Sequence, residues 1–264
     1  MPALTRRQRR AATHLGVYAV LALLVLLLVL KADWEALKLN FADGDTWRGQ
    51  WPDIFLIGAK NTLFYTVIAF AGGLALALVL ALMKMSSVLG LRWIAIAWIE
   101  FFRGLPALVV ILFMAFGVPL AFDWNAPGGT IGAGLIGLVF VASAYMAETL
   151  RAGIQAVPKG QTEAARSLGM SSYRTTTSIV LPQALRVVIP PLTNEGVLLL
   201  KDTSLLAFVG AQASQVDLTA YGQQGIIEYA NSAPLLAIAL VYLAISLPLT
   251  QLVAALERRQ QRAR

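Results

Sequence analysis

The sequence contains no cysteine and a single histidine, and charged residues make up only 13% of its 264 positions. The lack of cysteine excludes a disulfide framework, a thiolate nucleophile and a thiolate-bound metal. The histidine, His14, follows a basic tail and begins an apolar run, a place that favours an interfacial residue over a metal ligand. A soluble domain usually carries about a quarter charged residues, so the low charge content argues against an ordinary soluble fold.

The chain also lacks the patterns that enzymes carry. No Gly-x-x-x-x-Gly-Lys-Ser/Thr phosphate-binding loop occurs, so we do not expect the chain to hydrolyse ATP. Neither metal-ligand spacing nor a credible pair of nucleophile and base is found. A membrane enzyme acting on lipids would need clustered carboxylates or histidines near an interface, and the lone His14 argues against it. We therefore predict a non-catalytic chain with no catalytic residue, metal site or cofactor of its own.

Long apolar runs are abundant, with 58% hydrophobic residues and a mean hydropathy of +0.70. A helix rises about 1.5 Å per residue, so about 20 apolar residues cross the hydrocarbon core of a bilayer. Six runs of this kind predict an all-α, polytopic membrane protein with about six transmembrane helices. The predicted spans are residues 14–31, 56–83, 93–120, 129–152, 184–210 and 234–256. Gly72-Gly73 and Leu105-Pro106 are the predicted weak points of the second and third spans.

The first apolar run follows several arginines and so resembles a signal peptide. It is, however, long and rich in Leu and Val, and Lys31-Ala32-Asp33-Trp34 follows it in place of a small-residue cleavage site. We therefore predict a retained first transmembrane helix.

The distribution of basic residues predicts the orientation of the chain. Six spans place both termini on one side, and 15 of the 21 lysines and arginines then fall on that side, against five at most on the other. By the positive-inside rule, both termini are predicted to be cytoplasmic. The net charge of +7 is thereby explained by orientation and anionic lipid, and a nucleic-acid partner is not expected.

The predicted outer segment 32–57 is aromatic, with Trp34, Trp47 and Trp51. Tryptophan is enriched where a membrane meets water, so we interpret these residues as interfacial anchors. A surface for an external protein partner is the alternative.

A polar stretch, residues 157–182, separates the fourth and fifth predicted spans. Pro158 starts a short helix there, and Gly169 stops it because glycine readily takes the left-handed conformation. The serine pair 171–172 can cap a second short helix, which is predicted to end near Pro182. The two helices would form a compact knuckle that projects into the cytosol.

The spacing within this knuckle resembles the EAA loop of the permeases of ATP-binding-cassette (ABC) importers. Glu163-Ala164-Ala165 is followed by three residues, Gly169, nine residues and Ile179-Val180-Leu181-Pro182. The small side chains of the two alanines leave room for the groove of another protein to close around the helix. The resemblance implies a coupling helix that docks into a cleft on a cytoplasmic ATPase. Its residues are Glu163, Ala164, Ala165, Gly169 and Pro182.

Three further segments resemble the polar amino acid group of this permease family. They are Glu100–Pro106, which looks like FFRGTP, Ser143–Gly153, which looks like SAYxAExxRGG, and Leu200–Leu205, which matches LKDTSL. The sequence departs from these patterns at Leu105, in place of threonine, and at Ala152, in place of glycine.

The resemblance divides the chain into three parts. Residues 1–55 hold a cytoplasmic basic tail, an extra first transmembrane helix and an external loop. Residues 56–258 form a five-helix permease domain with the coupling loop at 157–182, and residues 259–264 form a second basic tail.

Polar side chains within the predicted spans mark a candidate substrate pathway. A charge at the bilayer centre costs at least about 2.5 kcal/mol, so it usually faces a cavity or a partner. The fifth span groups six such residues: Asn194, Glu195, Lys201, Asp202, Thr203 and Ser204. They suit the ammonium and carboxylate of a zwitterionic substrate, with Thr203 and Ser204 favoured over Lys201 as contacts. Pairing with neighbouring helices for assembly is the alternative.

Two pairs spaced three residues apart complete these candidates. Glu100 and Arg103 lie on the third span and can form an ion pair at its kink or contact substrate. Tyr145 and Glu148 lie toward the cytoplasmic end of the fourth span, where a gate, a subunit contact and an interfacial anchor are all open.

The resemblance implies a complex in the bacterial cytoplasmic (inner) membrane. It would contain two permease subunits, identical or paralogous, two cytosolic ATPases that hold ATP and Mg, and an external amino-acid-binding protein. The implied function is ATP-driven import of an amino acid by alternating access. An ATP-independent ion channel or secondary carrier is the alternative, and the EAA loop argues against it because neither would need an ATPase.

Overall fold

The computed structural model describes residues 6–262, with side chains for Arg6 and for residues 13–258. Within this range every regular element is a helix and no strand occurs, which confirms the predicted all-α fold. The α-helices are α1 (Arg6–Lys31), α2 (Trp34–Phe41), α3 (Gly44–Gly49), α4 (Lys60–Lys84), α5 (Leu89–Gly104), α6 (Ala107–Leu112), α7 (Val118–Phe122), α8 (Gly129–Gln155), α9 (Lys159–Ser167), α10 (Ser172–Thr175), α11 (Leu181–Asp202), α12 (Leu218–Tyr229) and α13 (Ala233–Arg262). Wider π-helical turns lie at Ile54–Ala59, Phe113–Gly117 and Thr176–Val180, and tighter 3₁₀ turns at Thr203–Val209 and Ala213–Gln215.

Four helical segments are long and apolar enough to cross a membrane, which confirms a polytopic membrane protein. They are Thr13–Lys31, Ile54–Lys84, Gly129–Gln155 and Ala233–Arg258. Each coincides, apart from small shifts at its ends, with a predicted span, namely the first, second, fourth and sixth. A helix suits the bilayer core because it satisfies its backbone hydrogen bonds internally.

The third predicted span is broken into two helical segments. Leu89–Gly104 and Ala107–Phe122 meet at an angle of 106°. Leu105 and Pro106 lie between them in an extended backbone conformation, because a proline has no N–H to donate and disfavours helix at the residue before it. The predicted weak point at Leu105-Pro106 is confirmed, and it turns one long span into a bent pair.

The fifth predicted span begins as α11 and ends as a 3₁₀ turn. α11 passes through Pro190-Pro191 and ends at Asp202, and the 3₁₀ turn continues to Val209. With its charged and polar residues, α11 is not among the apolar segments of residues 6–262, which number four, or five if the bent pair is one span. The count of six spans therefore stays a prediction.

The glycine pair Gly72-Gly73 does not weaken α4, so that part of the prediction is wrong. The helix is continuous there, and the absent side chains instead let α8 approach closely. A Cβ added at Gly73 would lie 2.9 Å from the Cβ of Ala142, and one added at Gly72 would lie 3.1 Å from Val139. The pair thus marks a helix–helix contact, as small residues commonly do in membranes.

α8 lies at the centre of the bundle, since 67% of its apolar span is buried. α4, α5, α6 and α11 all pack against it. Its side chains Leu138 and Met146 are fully buried, together with Ile99 of α5 and Ile111 of α6. The positions of the other helices are therefore set largely by their contacts with α8.

α2 and α3 fold onto the connection between α12 and α13. Asn231 Nδ2 donates a hydrogen bond to Thr46 Oγ1 (2.8 Å), and the Ser232 N–H donates to the carbonyl of Asn40 (3.1 Å). Trp47 packs, half-buried, against the apolar cluster formed by α12 and α13. At least one of the three tryptophans interpreted as interfacial anchors thus contacts the protein itself.

Candidate functional site

The first helix of the knuckle forms where the sequence predicts it. α9 begins directly after Pro158, and Gly169 follows it with φ of +81°. The Gly169 N–H donates to the carbonyl of Arg166 (3.0 Å), and the Met170 N–H donates to that of Ala165 (3.1 Å). These bonds satisfy carbonyl groups at the end of α9, and the left-handed glycine reverses the chain.

The second helix of the knuckle does not end near Pro182, so that prediction is wrong. Ser171 caps α10 by accepting a hydrogen bond from the Arg174 N–H (3.3 Å), as predicted for the serine pair. The chain then stays helical through the π turn Thr176–Val180 into α11. The Leu181 N–H donates to the carbonyl of Thr176, and this wider turn accommodates the missing N–H and the bulky ring of Pro182.

The two alanines of the knuckle face in different directions. Ala165 is only 5% exposed and packs inside the knuckle, whereas Glu163 and Ala164 are exposed. Two large side chains are bare on the same knuckle, since Leu168 is 85% and Tyr173 78% exposed. Exposed apolar residues of this size mark a surface that another protein can cover.

A cavity of about 490 Å³ opens beside the end of α11. It is lined by Lys201, Ser204, Thr219, Ala239, Tyr242, Leu243 and Ser246. Three of its walls come from different elements, namely the end of α11, the first turn of α12 and one face of α13. A single ammonium and several hydroxyl groups thus share one apolar-walled space.

A buried carboxylate holds two walls of this α11 cavity together. Asp217 is 2% exposed and caps α12 by accepting from the N–H groups of Thr219 (3.0 Å) and Ala220 (3.1 Å). The hydroxyl groups of Thr219 and Tyr242 lie 3.1 Å apart, and the Tyr242 hydroxyl is 3.5 Å from Asp217 Oδ2. These contacts among Asp217, Thr219 and Tyr242, called the Asp217 node below, therefore join α12 to α13 at the rim of the cavity.

Only two of the six candidates on α11 and its 3₁₀ extension line the cavity, namely Lys201 and Ser204. Thr203 is fully buried, and its hydroxyl donates to the Leu200 carbonyl (2.8 Å), so it is not presented to a substrate there. Three further residues do not line the cavity either: Asn194, which is exposed, and Glu195 and Asp202, which are half-buried.

Arg103 and Tyr145 meet on another face of the bundle. The Arg103 guanidinium carbon lies 5.7 Å from the centroid of the Tyr145 ring, a cation–π contact between α5 and α8. Glu100 is exposed, and within residues 13–258 it forms no ion pair with Arg103. Of the two alternatives left open for Glu100 and Arg103, the local ion pair is therefore not formed, and Arg103 makes a contact between helices instead.

Glu148 lies in an ion cluster at the end of the bundle that carries the knuckle. It pairs with Lys84 of α4 and with Arg151, whose Nη2 lies 2.7 Å from Glu148 Oε2. Neither partner lines the α11 cavity. The structure therefore places the ten pathway candidates in at least three separate places rather than in one.

Sequence reasoning missed four residues at the α11 cavity: Asp217, Thr219, Tyr242 and Ser246. A signal for the first two was present, since Asp217-Leu218-Thr219 is a typical helix start with an acidic cap. Tyr242 and Ser246 are four residues apart, a spacing that places both on one face of a helix otherwise rich in Leu and Ala.

Comparisons with known proteins agree with this architecture. Residues 73–262 match the family model described as binding-protein-dependent transport system inner membrane component. The chain is 36% identical over 212 residues to the probable glutamine ABC transporter permease protein GlnM of Bacillus subtilis, which covers 80% of this chain and 94% of that protein. It is 34% identical over 218 residues to the glutamine transport system permease protein GlnP of Escherichia coli, covering 81% and 97%.

Solved structures give the same result. An amino acid ABC transporter crystallised with histidines matches with a TM-score of 0.74 and 35% identity, covering 82% of this chain and 98% of that one. The methionine transporter MetNI matches at a TM-score of 0.57 and 19% identity over 78% of this chain and 98% of that one, which supports the fold alone. With 190 consecutive residues inside the family model and near full-length relatives, the chain belongs to the family of inner-membrane permease components of binding-protein-dependent ABC transporters.

Proposed function

We propose that the chain is the transmembrane permease subunit of an ATP-driven amino acid importer. One observation carries the proposal: the second helix of the knuckle, α10, continues without a break into α11, whose end lines the α11 cavity. Residues 172–202 are helical throughout, so Tyr173 at the knuckle and Lys201 at the cavity are joined by about 40 Å of helix. Movement of the knuckle can therefore be transmitted to the cavity by α11.

The mechanism that follows is alternating access. ATP and Mg would be held by the partner ATPases, whose closure moves the knuckle at Glu163–Gly169. The exposed Leu168 and Tyr173 supply apolar contact area for that partner. Because α11 carries Lys201 and the 3₁₀ turn that follows it carries Ser204, movement of α11 relative to α12 and α13 opens and closes the cavity wall. The Asp217 node keeps α12 and α13 together while α11 moves.

The chemistry of the cavity suits a zwitterionic amino acid. Lys201 offers an ammonium to the substrate carboxylate, and the hydroxyl groups of Ser204, Thr219 and Ser246 can hydrogen-bond to an ammonium or a polar side chain. The names of the relatives support this class, since they are permeases for glutamine and other amino acids. The proposal therefore favours Lys201 over Thr203 as a substrate contact, which reverses the order expected from sequence.

The proposed assembly contains two permease subunits, two cytosolic ATPases and an external amino-acid-binding protein. Its support is the family match, whose description names binding-protein-dependent transport. The excess of basic residues in the end segments and in the knuckle supports cytoplasmic termini in a bacterial inner membrane. An ATP-independent channel or carrier is not favoured, because it has no use for a docking knuckle.

The proposal is tested first by purifying the tagged chain in mild detergent from its native membrane and identifying the proteins that accompany it. A stoichiometric ATPase with a phosphate-binding loop is expected, and scrambling Glu163–Gly169 should release it. A chain that purifies alone and still transports an amino acid in ATP-free liposomes would refute the importer assignment.

A second test uses the left-handed glycine of the knuckle. Gly169→Val should abolish ATP-dependent uptake while leaving membrane insertion intact, because a β-branched residue at φ of +81° is strained by more than about 1–2 kcal/mol. Gly160→Val is the matched control on the same knuckle, since Gly160 lies in α9 with open space around it. Equal uptake by the two variants would exclude a mechanical role for the Gly169 turn.

A further inference from the structure

A second cavity, of about 370 Å³, opens at the knuckle end of the bundle. It lies where the end of α4, the first turn of α5 and the last turns of α8 meet. Its lining residues are Lys84, Met85, Ser86, Arg92, Arg151 and Gln155. Three of these six residues carry a positive charge, and none carries a negative one. The α11 cavity, by contrast, has a single cation among seven lining residues.

The positive charge of this basic cavity is only partly neutralised. Glu148, which does not line it, pairs with both Lys84 and Arg151 and so offsets one of three charges. Arg92 is exposed, and its guanidinium has neither a hydrogen bond nor an ion pair with any residue whose side chain the structure describes. Lys84 and Arg151 are held in place by Glu148, with 17% and 28% of their side chains exposed. An anion entering the cavity would meet a net positive charge of two from these three cations, of which Glu148 holds Lys84 and Arg151 in position.

An apolar surface continues from the mouth of the basic cavity along α5. Leu89 and Trp93 are four residues apart on one face of α5 and are 65% and 62% exposed. They flank Arg92 in the same turn. Tryptophan is enriched at the level of lipid headgroups, and long apolar side chains beside a basic group suit a ligand with both a charged and an apolar part.

We propose that the basic cavity binds the phosphate headgroup of an anionic glycerophospholipid from the inner leaflet. The phosphate accepts hydrogen bonds from Arg92, Lys84 and Arg151, and the acyl chains lie along Leu89 and Trp93. A free phosphate would use the same cations but would leave the apolar face of α5 without a role. Basic pockets between helices at the cytoplasmic side of a membrane are suited to this headgroup chemistry. The bound lipid would join the ends of α4, α5 and α8 beside the knuckle.

The test is native mass spectrometry of the full chain, delipidated in mild detergent and titrated with phosphatidylglycerol or phosphatidylcholine of identical acyl chains. The anionic lipid should bind about tenfold more tightly, and Arg92→Gln should weaken it about fivefold, as expected for one phosphate contact. Arg92→Lys should bind as the parent does, because it keeps the charge. Arg258→Gln is the matched control, since Arg258 is exposed in α13 and lies outside the basic cavity.

Three outcomes would overturn the proposal. The first is equal affinity for the two lipids, and the second is equal weakening by Arg92→Gln and Arg258→Gln. The third is binding of inorganic phosphate alone as tight as that of phosphatidylglycerol and equally weakened by Arg92→Gln, which would assign the cavity to a free anion. The Arg92 guanidinium has no partner among the side chains that the structure describes, so Arg92→Gln should unfold at the parent's temperature and the comparison is not confounded by misfolding.

Discussion

The apolar spans that contain α1 and α4 have the same mean hydropathy, 2.5, yet the first is exposed along its length and the second is packed against other helices. None of the apolar span of α1 is buried inside the protein, against 28% for the span that contains α4. α4 buries small residues at four-residue spacing, namely Ala69, Gly73, Ala77 and Ala81. α1 has Leu or Val at nearly every position from 20 to 30 and no such stripe.

The difference shows that hydropathy places a helix in the membrane but does not decide its neighbours. Lipid tails are as apolar as leucine, so two helices gain little from simply meeting in a bilayer. Close approach of backbones over small residues supplies the van der Waals contact that holds them together. The stripe on α4 faces α8, and the leucines of α1 face outward.

Filling the small-residue stripe of α4 should have the largest effect on stability. Gly73→Leu should destabilise the chain by at least about 3 kcal/mol, since its side chain would have to displace Ala142 and the backbone of α8. Gly16→Leu in α1 is the matched control, because nothing lies within 4 Å of a Cβ added there. The measurement is thermal unfolding of the two variants in the same detergent. Equal unfolding temperatures would show that the stripe does not hold α4 against α8.

A smaller effect is expected from removing a large side chain. Leu80→Ala in α4 should cost about 2 kcal/mol, because Leu80 is 3% exposed and a cavity would remain in the main apolar core. Leu24→Ala in α1 should change stability by less than about 0.5 kcal/mol, as Leu24 is 52% exposed. Unfolding in detergent or bilayer should separate the two. A loss at Leu24 as large as that at Leu80 would mean that α1 is packed against something.

α2 and α3, which lie between α1 and α4 in the chain, are held to the bundle by a hydrogen bond, and a loss of stability smaller than that at Leu80 is expected there. Thr46→Val removes the hydroxyl that accepts from Asn231, and leaves a half-buried amide without that partner. A loss of about 1 kcal/mol is expected. Thr250→Val, on the exposed part of α13, is the control and should be neutral. Limited proteolysis is the second readout. If the hydrogen bond from Asn231 holds α2 and α3 in place, these helices should become cleavable in Thr46→Val but not in Thr250→Val.

The sequence predicts the apolar spans well and the packing poorly. Four spans appear almost at their predicted ends, since a long apolar run has few alternatives to a membrane helix. Glycine and proline were ambiguous: Pro106 breaks its span, Pro182 is absorbed by a π turn, and Gly72-Gly73 serves a contact. The effect of such a glycine or proline depends on the helix that packs against it, and the sequence of one segment does not identify that helix.

For the candidate sites too, features within one turn were predicted and contacts between helices were not. The α9 turn at Gly169 follows from local backbone chemistry and was predicted. The α11 cavity depends on α12 and α13, so Thr219 and Tyr242 were missed, and Thr203, which was favoured as a contact, does not line the cavity. For Arg103 a pair with Glu100 or a substrate contact was considered from sequence, and the structure places it over Tyr145 of another helix. Contacts within one turn can be predicted from sequence, whereas partners on other helices require the fold.

The smallest effect is expected from replacing α1 itself. Residues 13–30 can be exchanged for an unrelated Leu-Ala helix of equal length. The exchange should leave the unfolding temperature unchanged and the rate of ATP-dependent uptake within about twofold of the parent. The reason is that no part of this span is buried, and an exposed surface position tolerates exchange. The flanking charges, which set orientation, are kept in the exchange. Loss of uptake with an unchanged unfolding temperature would contradict this expectation. It would mean that the leucine face of α1 is covered in the assembled transporter, and that its difference from α4 lies in the choice of partner rather than in the lack of one.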